Sequence, residues 1–88
     1  MATFILCVNN VFAQNIGINA TGAMPNNSAM LDINSGDKGL LIPRVALDST
    51  ADVTTIAAPA TSLMVYNTNA AITGVGADGL GFYYWNGT

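Results

Sequence analysis

The chain contains Leu63-Met64-Val65-Tyr66-Asn67, the short run that decides its fold class. Valine and tyrosine favour extended backbone, and a run of five residues has the length of a strand rather than a helix. Pro59 precedes it and the glycine-rich residues 69–81 follow it. Since turn-forming residues bound the run on both sides, it predicts a β-strand, and it is the clearest strand in the sequence.

Three further segments also predict strands. Residues 29–33 have a two-residue pattern that places Ala29, Leu31 and Ile33 on one face of a strand. Residues 39–43 form a continuous apolar run that ends at a proline, which cannot donate to a central ladder. Residues 81–85 are aromatic after the first glycine. Residues 46–56 are the one window that could form a short helix, with Asp48 or Ser49 as its cap. The predicted fold class is therefore mainly β: a small module of short strands and turns with at most one short helix.

Composition excludes several classes of function. The 88 residues include two basic and five acidic side chains and no histidine, giving a net charge of −3. Two cations form no basic patch for phosphates, so we expect no nucleic-acid partner. Without histidine the chain lacks the usual general base, and its single cysteine cannot form an internal disulfide. We therefore predict that the protein is not an enzyme and has no cofactor, catalytic residue or metal site.

Residues 1–14 resemble the end of a signal peptide. They combine an apolar run with a small-residue cleavage site, although the usual basic start is missing. We expect a signal peptide remnant at 1–14 and a secreted or cell-surface module at 15–88, with Cys7 removed. The alternative is a buried N-terminal strand over residues 3–8. The run is shorter than the about 20 residues of a membrane-spanning helix, so no span is expected in the mature chain.

The small size of the remaining module predicts association. A chain of this length buries little surface, and small domains usually add disulfides, metals or oligomerisation. Since this sequence offers neither of the first two, we expect a homo-oligomer that uses exposed strand edges and the apolar residues 40–42 and 82–85.

Six residues are candidates for a ligand site or an oligomer interface. Arg44 could pair with an aspartate of a neighbouring copy or contact an acidic ligand. The aromatic candidates could stack on sugar rings or form a core or interface. Asp32, Asp37 and Asp78 could ligate calcium, but no calcium-loop spacing is present, which favours solvated turn aspartates. The six candidates are Arg44, Tyr66, Phe82, Tyr83, Tyr84 and Trp85.

Five segments in order resemble the N-terminal module of Bacteroidetes-type secreted surface proteins that look like phage tail fibres. They are residues 15–19, 28–33, 38–44, 59–68 and 82–88. The resemblance covers residues 15–88 and implies a β-rich, fibre-associated module, trimeric, at the start of a longer adhesin or fibre. It also leaves open whether the chain is truncated at its C-terminus, since the pattern usually continues past the last Gly-Thr.

The predicted function is a non-enzymatic structural or adhesive module of an exported cell-surface or fibre protein. Two alternatives remain. One is a carbohydrate-binding module that uses the strand from Tyr83 to Trp85 and takes a surface glycan. The other is a phage or prophage tail-fibre segment. The expected partners are further copies of the chain, with a trimer favoured.

Overall fold

A computed structural model describes residues 15–88 of the chain. The signal peptide predicted at 1–14, the alternative strand at 3–8 and Cys7 lie outside the described residues. Within residues 15–88 the structure contains short strands and turns and no helix, which confirms the mainly β fold class. The five strands are β1 (Ile16–Ile18), β2 (Leu31–Ile33), β3 (Arg44–Val45), β4 (Met64–Asn67) and β5 (Gly81–Tyr84).

The chain divides into two compact units between Gly39 and Leu40. In the first unit β1 and β2 pair in parallel, and the amide of Ile16 donates to the carbonyl of Met30 at 2.8 Å. The composition and patterning did not predict β1, because a glycine at the centre of three residues weakens a strand. A Cβ at Gly17 would lie 3.2 Å from the ring of Pro25, closer than an ordinary contact, so the glycine leaves room for this proline.

The second unit contains a three-stranded sheet in the order β3-β4-β5. β3 is parallel to β4, with Arg44 beside Tyr66, and β5 is antiparallel to β4, with Phe82 beside Tyr66. The strands predicted around residues 63–67 and 81–85 are confirmed as β4 and β5. The strand predicted at 29–33 is confirmed in its last three residues as β2.

The strand predicted at residues 39–43 is wrong, because the ladder begins after the proline. β3 comprises only Arg44 and Val45, and the carbonyl of Pro43 accepts the amide of Tyr66 at 3.0 Å. Proline has no N–H to donate, so it can enter the ladder only as an acceptor at the start of a strand.

The helix considered for residues 46–56 does not form. Ser49 makes a β-bridge with Thr73, and the amide of Thr50 donates to the carbonyl of Thr73 at 2.9 Å. Beyond the bridge, the Asp52 carboxylate accepts the amides of Thr54 and Thr55, both at 2.9 Å. Side chains that take local amides in this way compete with helical hydrogen bonds, which explains the turn.

Candidate oligomerisation interface

The two faces of the β3-β4-β5 sheet differ in burial. Side chains alternate between the faces along a strand. Val65 and Asn67 of β4 point to one face and are 5% and 0% exposed. Met64, on the opposite face, is 52% exposed, and its β5 neighbour Tyr84 is 71% exposed. We call the side of Val65 and Asn67 the inner face, and the side of Met64 and Tyr84 the outer face.

Asn67 joins the inner face to the loops of the second unit. Its Oδ1 accepts the amides of Leu47 and Asn69, each at 3.0 Å. Its Nδ2 donates to the carbonyls of Asn69 and Gly79, each at 2.9 Å. A buried amide that makes all four hydrogen bonds fixes three separate backbone segments in one arrangement. Asn67 was not among the predicted site residues, and its position on a strand between two predicted loops gave no signal of this role.

The side chain of Tyr83, which pairs with Val65, also lies on the inner face. Its hydroxyl donates to the carbonyl of Gly79 at 2.9 Å and accepts the amide of Asp78 at 2.8 Å. Ile72, 7% exposed, belongs with Val65 to the small apolar core. The inner face is therefore closed by the chain's own loops.

The outer face is open and apolar. It consists of Met64 and Tyr66 from β4, Phe82 and Tyr84 from β5, and Arg44 from β3. Phe82 is 64% exposed, and its ring meets that of Tyr66 edge to face, with centroids 5.2 Å apart and planes at 82°. Contiguous exposed aromatic and aliphatic side chains mark interaction surfaces in soluble proteins.

The segment before β3 extends this apolar surface. Leu40, Leu41 and Ile42 line an open groove of about 170 Å³ together with Arg44, Tyr66 and Phe82. Leu40 and Leu41 are 62% and 79% exposed. The guanidinium of Arg44 donates from Nη1 to the carbonyl of Ile42 at 3.2 Å, which keeps the cation beside the groove.

The six predicted site residues are thus divided between the two faces. Arg44, Tyr66, Phe82 and Tyr84 lie together on the outer face. Tyr83 lies on the inner face, and Trp85 follows β5 half-buried, with its amide donating to Leu63 at 2.9 Å. Sequence reasoning missed Met64 as a member of the outer face. The signal was present, because Met64 and Tyr66 are two residues apart on the same strand. A binding role for the six residues stays a prediction.

A second, larger groove of about 810 Å³ runs along β5 and the loops beside it. The four aromatic residues from Phe82 to Trp85 line it, together with Asp52 and Asp78. Its lining includes apolar residues as well, among them Ile56, Pro59 and Leu63.

The carboxylate of Asp52 accepts several hydrogen bonds from its own turn. Hydrogen bonds from Thr55, its hydroxyl at 2.6 Å and its amide at 2.9 Å, hold the pKa of the Asp52 carboxyl well below its usual range. The amides of Asp48 and Thr54 add to this effect. A carboxylate that accepts several hydrogen bonds is favoured in its charged form. These hydrogen bonds close the turn after Ser49, so the Asp52 side chain stabilises the local fold.

Of the aspartates weighed as calcium ligands, Asp32 is not in a turn as expected but lies at the centre of β2, where it accepts the amide of Asn26 at 2.8 Å. Asp37 lies in a bend and accepts the hydroxyl of Ser35 at 3.2 Å. Over residues 15–88 no three metal-ligating side chains come close enough together to hold an ion. In that same part of the chain, no helix has the length and apolar character needed to cross a membrane.

The first unit has an apolar face of its own. β1 and β2 place four aliphatic side chains on the same side, because the parallel register aligns Ile16 with Leu31 and Ile18 with Ile33. All four are exposed, from 38% for Ile33 to 57% for Ile16. Both units of the described chain therefore present unburied apolar side chains on one face of their sheet.

Comparison with known families gives one match. Residues 17–88 match the family described as phage tail like trimerisation region, and this match includes every strand of both sheets except the first residue of β1. Searches among curated proteins and solved structures returned no significant match. A region of this kind supports a structural, tail-fibre-like module that associates with its own copies, in agreement with the mainly β fold and its open apolar face. Since the match covers well over half of its length, the chain belongs to the phage tail-like trimerisation region family.

Proposed function

We propose that the chain is a non-enzymatic trimerisation module of a fibre, and that the outer face packs against the outer faces of two further copies around a three-fold axis. One observation supports this assignment above the others. The sheet is closed on its inner face by its own loops but open on its outer face, where Tyr66, Phe82 and Tyr84 lie side by side.

The sizes of the core and of the open face favour association. The buried apolar side chains of the described residues are Val65 and Ile72, a small core for a folded unit. Aromatic side chains each offer 150–250 Å² for burial, at roughly 25 cal/mol per Å² of apolar surface. Covering three partly exposed aromatic residues per copy would therefore add several kcal/mol to the stability of the assembly.

The cellular context proposed here is an exported cell-surface or fibre protein with a structural or adhesive role. Two observations support it: the signal-like pattern of residues 1–14, and the resemblance of residues 15–88 to secreted Bacteroidetes-type surface proteins. A phage or prophage tail fibre is the alternative context. N-terminal sequencing of the exported protein tests the proposal: a start near Asn15 agrees with it, and a start at Met1 or Ala2 contradicts it.

The interface itself is tested by sedimentation velocity with two matched variants. Phe82→Asp places a charge in the outer face and should convert the assembly to slowly sedimenting single copies, because an unpaired charge is costly to bury. Val75→Asp introduces the same charge at a loop residue that is 96% exposed and outside the outer face, and it should leave the sedimentation coefficient unchanged. Equal behaviour of the two variants would show that the outer face is not the interface.

Carbohydrate binding is a second candidate function, favoured by the groove of about 810 Å³ beside Trp85 and Tyr83. Aromatic faces next to carboxylates suit sugars, which have apolar faces and hydroxyl edges. Tyr84 also lines this groove, so Tyr66, an aromatic residue outside it, supplies the matched control. A glycan array should show binding that is lost in Trp85→Ala and kept in Tyr66→Ala. Absence of binding by the unmodified protein would remove this candidate.

A further inference from the structure

The β3-β4-β5 sheet has two unlike edges. Among the described residues no strand pairs with β5 on the side away from β4, and none pairs with β3 on its far side. Open edges present unpaired backbone N–H and C=O groups and readily pair with another chain. The two edges belong to the same sheet that supplies the outer face.

The open edge of β5 presents the peptide groups of Phe82 and Tyr84. The amide of Trp85 donates to Leu63, in the turn before β4, at 2.9 Å. Peptide groups alternate in direction along an antiparallel strand, so Tyr83 also faces β4. Phe82 and Tyr84 therefore direct their N–H and C=O groups away from the sheet, and their side chains remain on the outer face.

The open edge of β3 presents the peptide groups of Arg44. The carbonyls of Pro43 and Val45 accept the amides of Tyr66 and Thr68, at 3.0 and 2.8 Å. Both residues thus face β4, and Arg44 between them faces away. The N–H of Arg44 is therefore the donor of this edge, and its C=O is the acceptor.

Symmetry limits how these edges can be used in a trimer. Contacts in a cyclic trimer are heterologous, so one surface of each copy meets a different surface of the next. Pairing of β5 with β5 would use the same surface twice and would give a two-fold dimer. The unlike edges at β5 and β3 satisfy the three-fold requirement.

We infer that the open edge of β5 pairs with the open edge of β3 in a second copy of this chain. This inference rests on the proposed trimer and names the contact between its sheets. β3 is parallel to β4 and β5 is antiparallel to it, so the joined strands run antiparallel when the three sheets share a direction. Three such contacts close the sheets into a ring with the outer faces inside, where Tyr66 and Phe82 leave water.

Residue-resolved amide exchange of the whole exported protein tests this contact. The amides of Arg44, Phe82 and Tyr84 should exchange about a hundredfold more slowly in the assembly than after dilution to single copies, because strand pairing must open before exchange. The amides of Val65 and Tyr83, paired within the sheet, serve as internal references and should be slow in both states. Sedimentation on the same samples gives the mass.

The outcomes separate this contact from the trimer itself. If the mass is trimeric and Phe82 and Tyr84 exchange at the rate of single copies, the edge contact is refuted while the proposed function stands. If β5 is protected and Arg44 is not, β5 pairs with something other than β3 and the contact is again refuted. A protein that remains a single copy at all concentrations refutes both.

Discussion

Tyr66 and Phe82 lie side by side on β4 and β5 with ring centroids 5.2 Å apart, on the face of the sheet that the loops of the second unit leave open. Aromatic pairs are usually buried, since each ring removes a large apolar area from water. Here Phe82 keeps 64% of its surface exposed in a single copy. The pair is the centre of the surface through which we propose that the chain trimerises.

Replacing Asn67 by alanine should destabilise the second unit more than any other single change on the inner face. The change leaves the amides of Leu47 and Asn69 without their partner and removes one of the two hydrogen bonds to the carbonyl of Gly79, which keeps the one from Tyr83. Unsatisfied buried groups cost about 1–3 kcal/mol each, so a loss of at least about 2 kcal/mol in the free energy of unfolding is expected.

Urea denaturation at one fixed protein concentration measures this loss, since association shifts apparent stability. Asn86→Ala is the control, because Asn86 is exposed and its Oδ1 accepts the nearby amide of Thr88 at 3.0 Å. A loss no greater in Asn67→Ala than in the control would contradict the anchoring role.

Gly74→Ala should be far more damaging than Gly76→Ala. Both glycines have positive φ, +106° and +78°, where a side chain costs about 1 kcal/mol. A Cβ at Gly74 would also collide with the Thr50 hydroxyl, whereas the space around Gly76 is open. The midpoint of thermal unfolding should therefore fall further in Gly74→Ala, and equal midpoints would show that the contact of Gly74 with Thr50 is absent.

Stability should fall in acid partly through Asp52. Hydrogen bonds from Thr55 lower the pKa of this carboxyl in the folded chain. A depressed folded pKa stabilises the fold above the unfolded value of about 3.9, and the effect is lost as the pH falls toward the folded value.

Asp52→Asn should accordingly lower the free energy of unfolding at pH 7 and flatten its decline below about pH 4. Asp37→Asn, which alters a carboxylate with one hydrogen bond from Ser35, is the matched control. Denaturant titrations over pH 2–7 measure the free energy of unfolding of each variant. Parallel curves of this free energy against pH for Asp52→Asn and the unmodified chain would refute the stabilising role of the Asp52 carboxylate.

Arg44→Leu should strengthen or preserve association if the cation serves only to line the apolar groove. It should weaken association if Arg44 pairs with an aspartate of a neighbouring copy, as the sequence suggested. Dissociation constants measured at low and high salt distinguish these two roles of Arg44, because an ion pair is screened and weakens with salt whereas an apolar contact does not. We expect a salt-sensitive assembly that loses this sensitivity in Arg44→Leu.

Sequence patterns predicted the parts of the fold that depend on local chemistry. β4 contains Val65 and Tyr66, β5 is aromatic after Gly81, and both form strands where expected. The patterns failed where a distant residue decides the outcome. β1 depends on a parallel partner, and the segment expected to be a helix is held in an extended form at Ser49 by its bridge with Thr73.

The candidate site shows the same division. Alternation along a strand separates Tyr84 from Tyr83 once the register is known, but the sequence does not say which face the loops cover. That choice follows from Asn67, whose four hydrogen bonds reach residues up to 20 positions away. A single asparagine in a strand gives no sign of such a role.

The most direct test of trimerisation through the outer face is the mass of the protein in solution. Sedimentation equilibrium over a range of concentrations should give a limiting mass three times that of one copy, and Phe82→Asp should reduce it to one copy. A limiting mass of a single copy, or of two, would contradict trimerisation through the outer face.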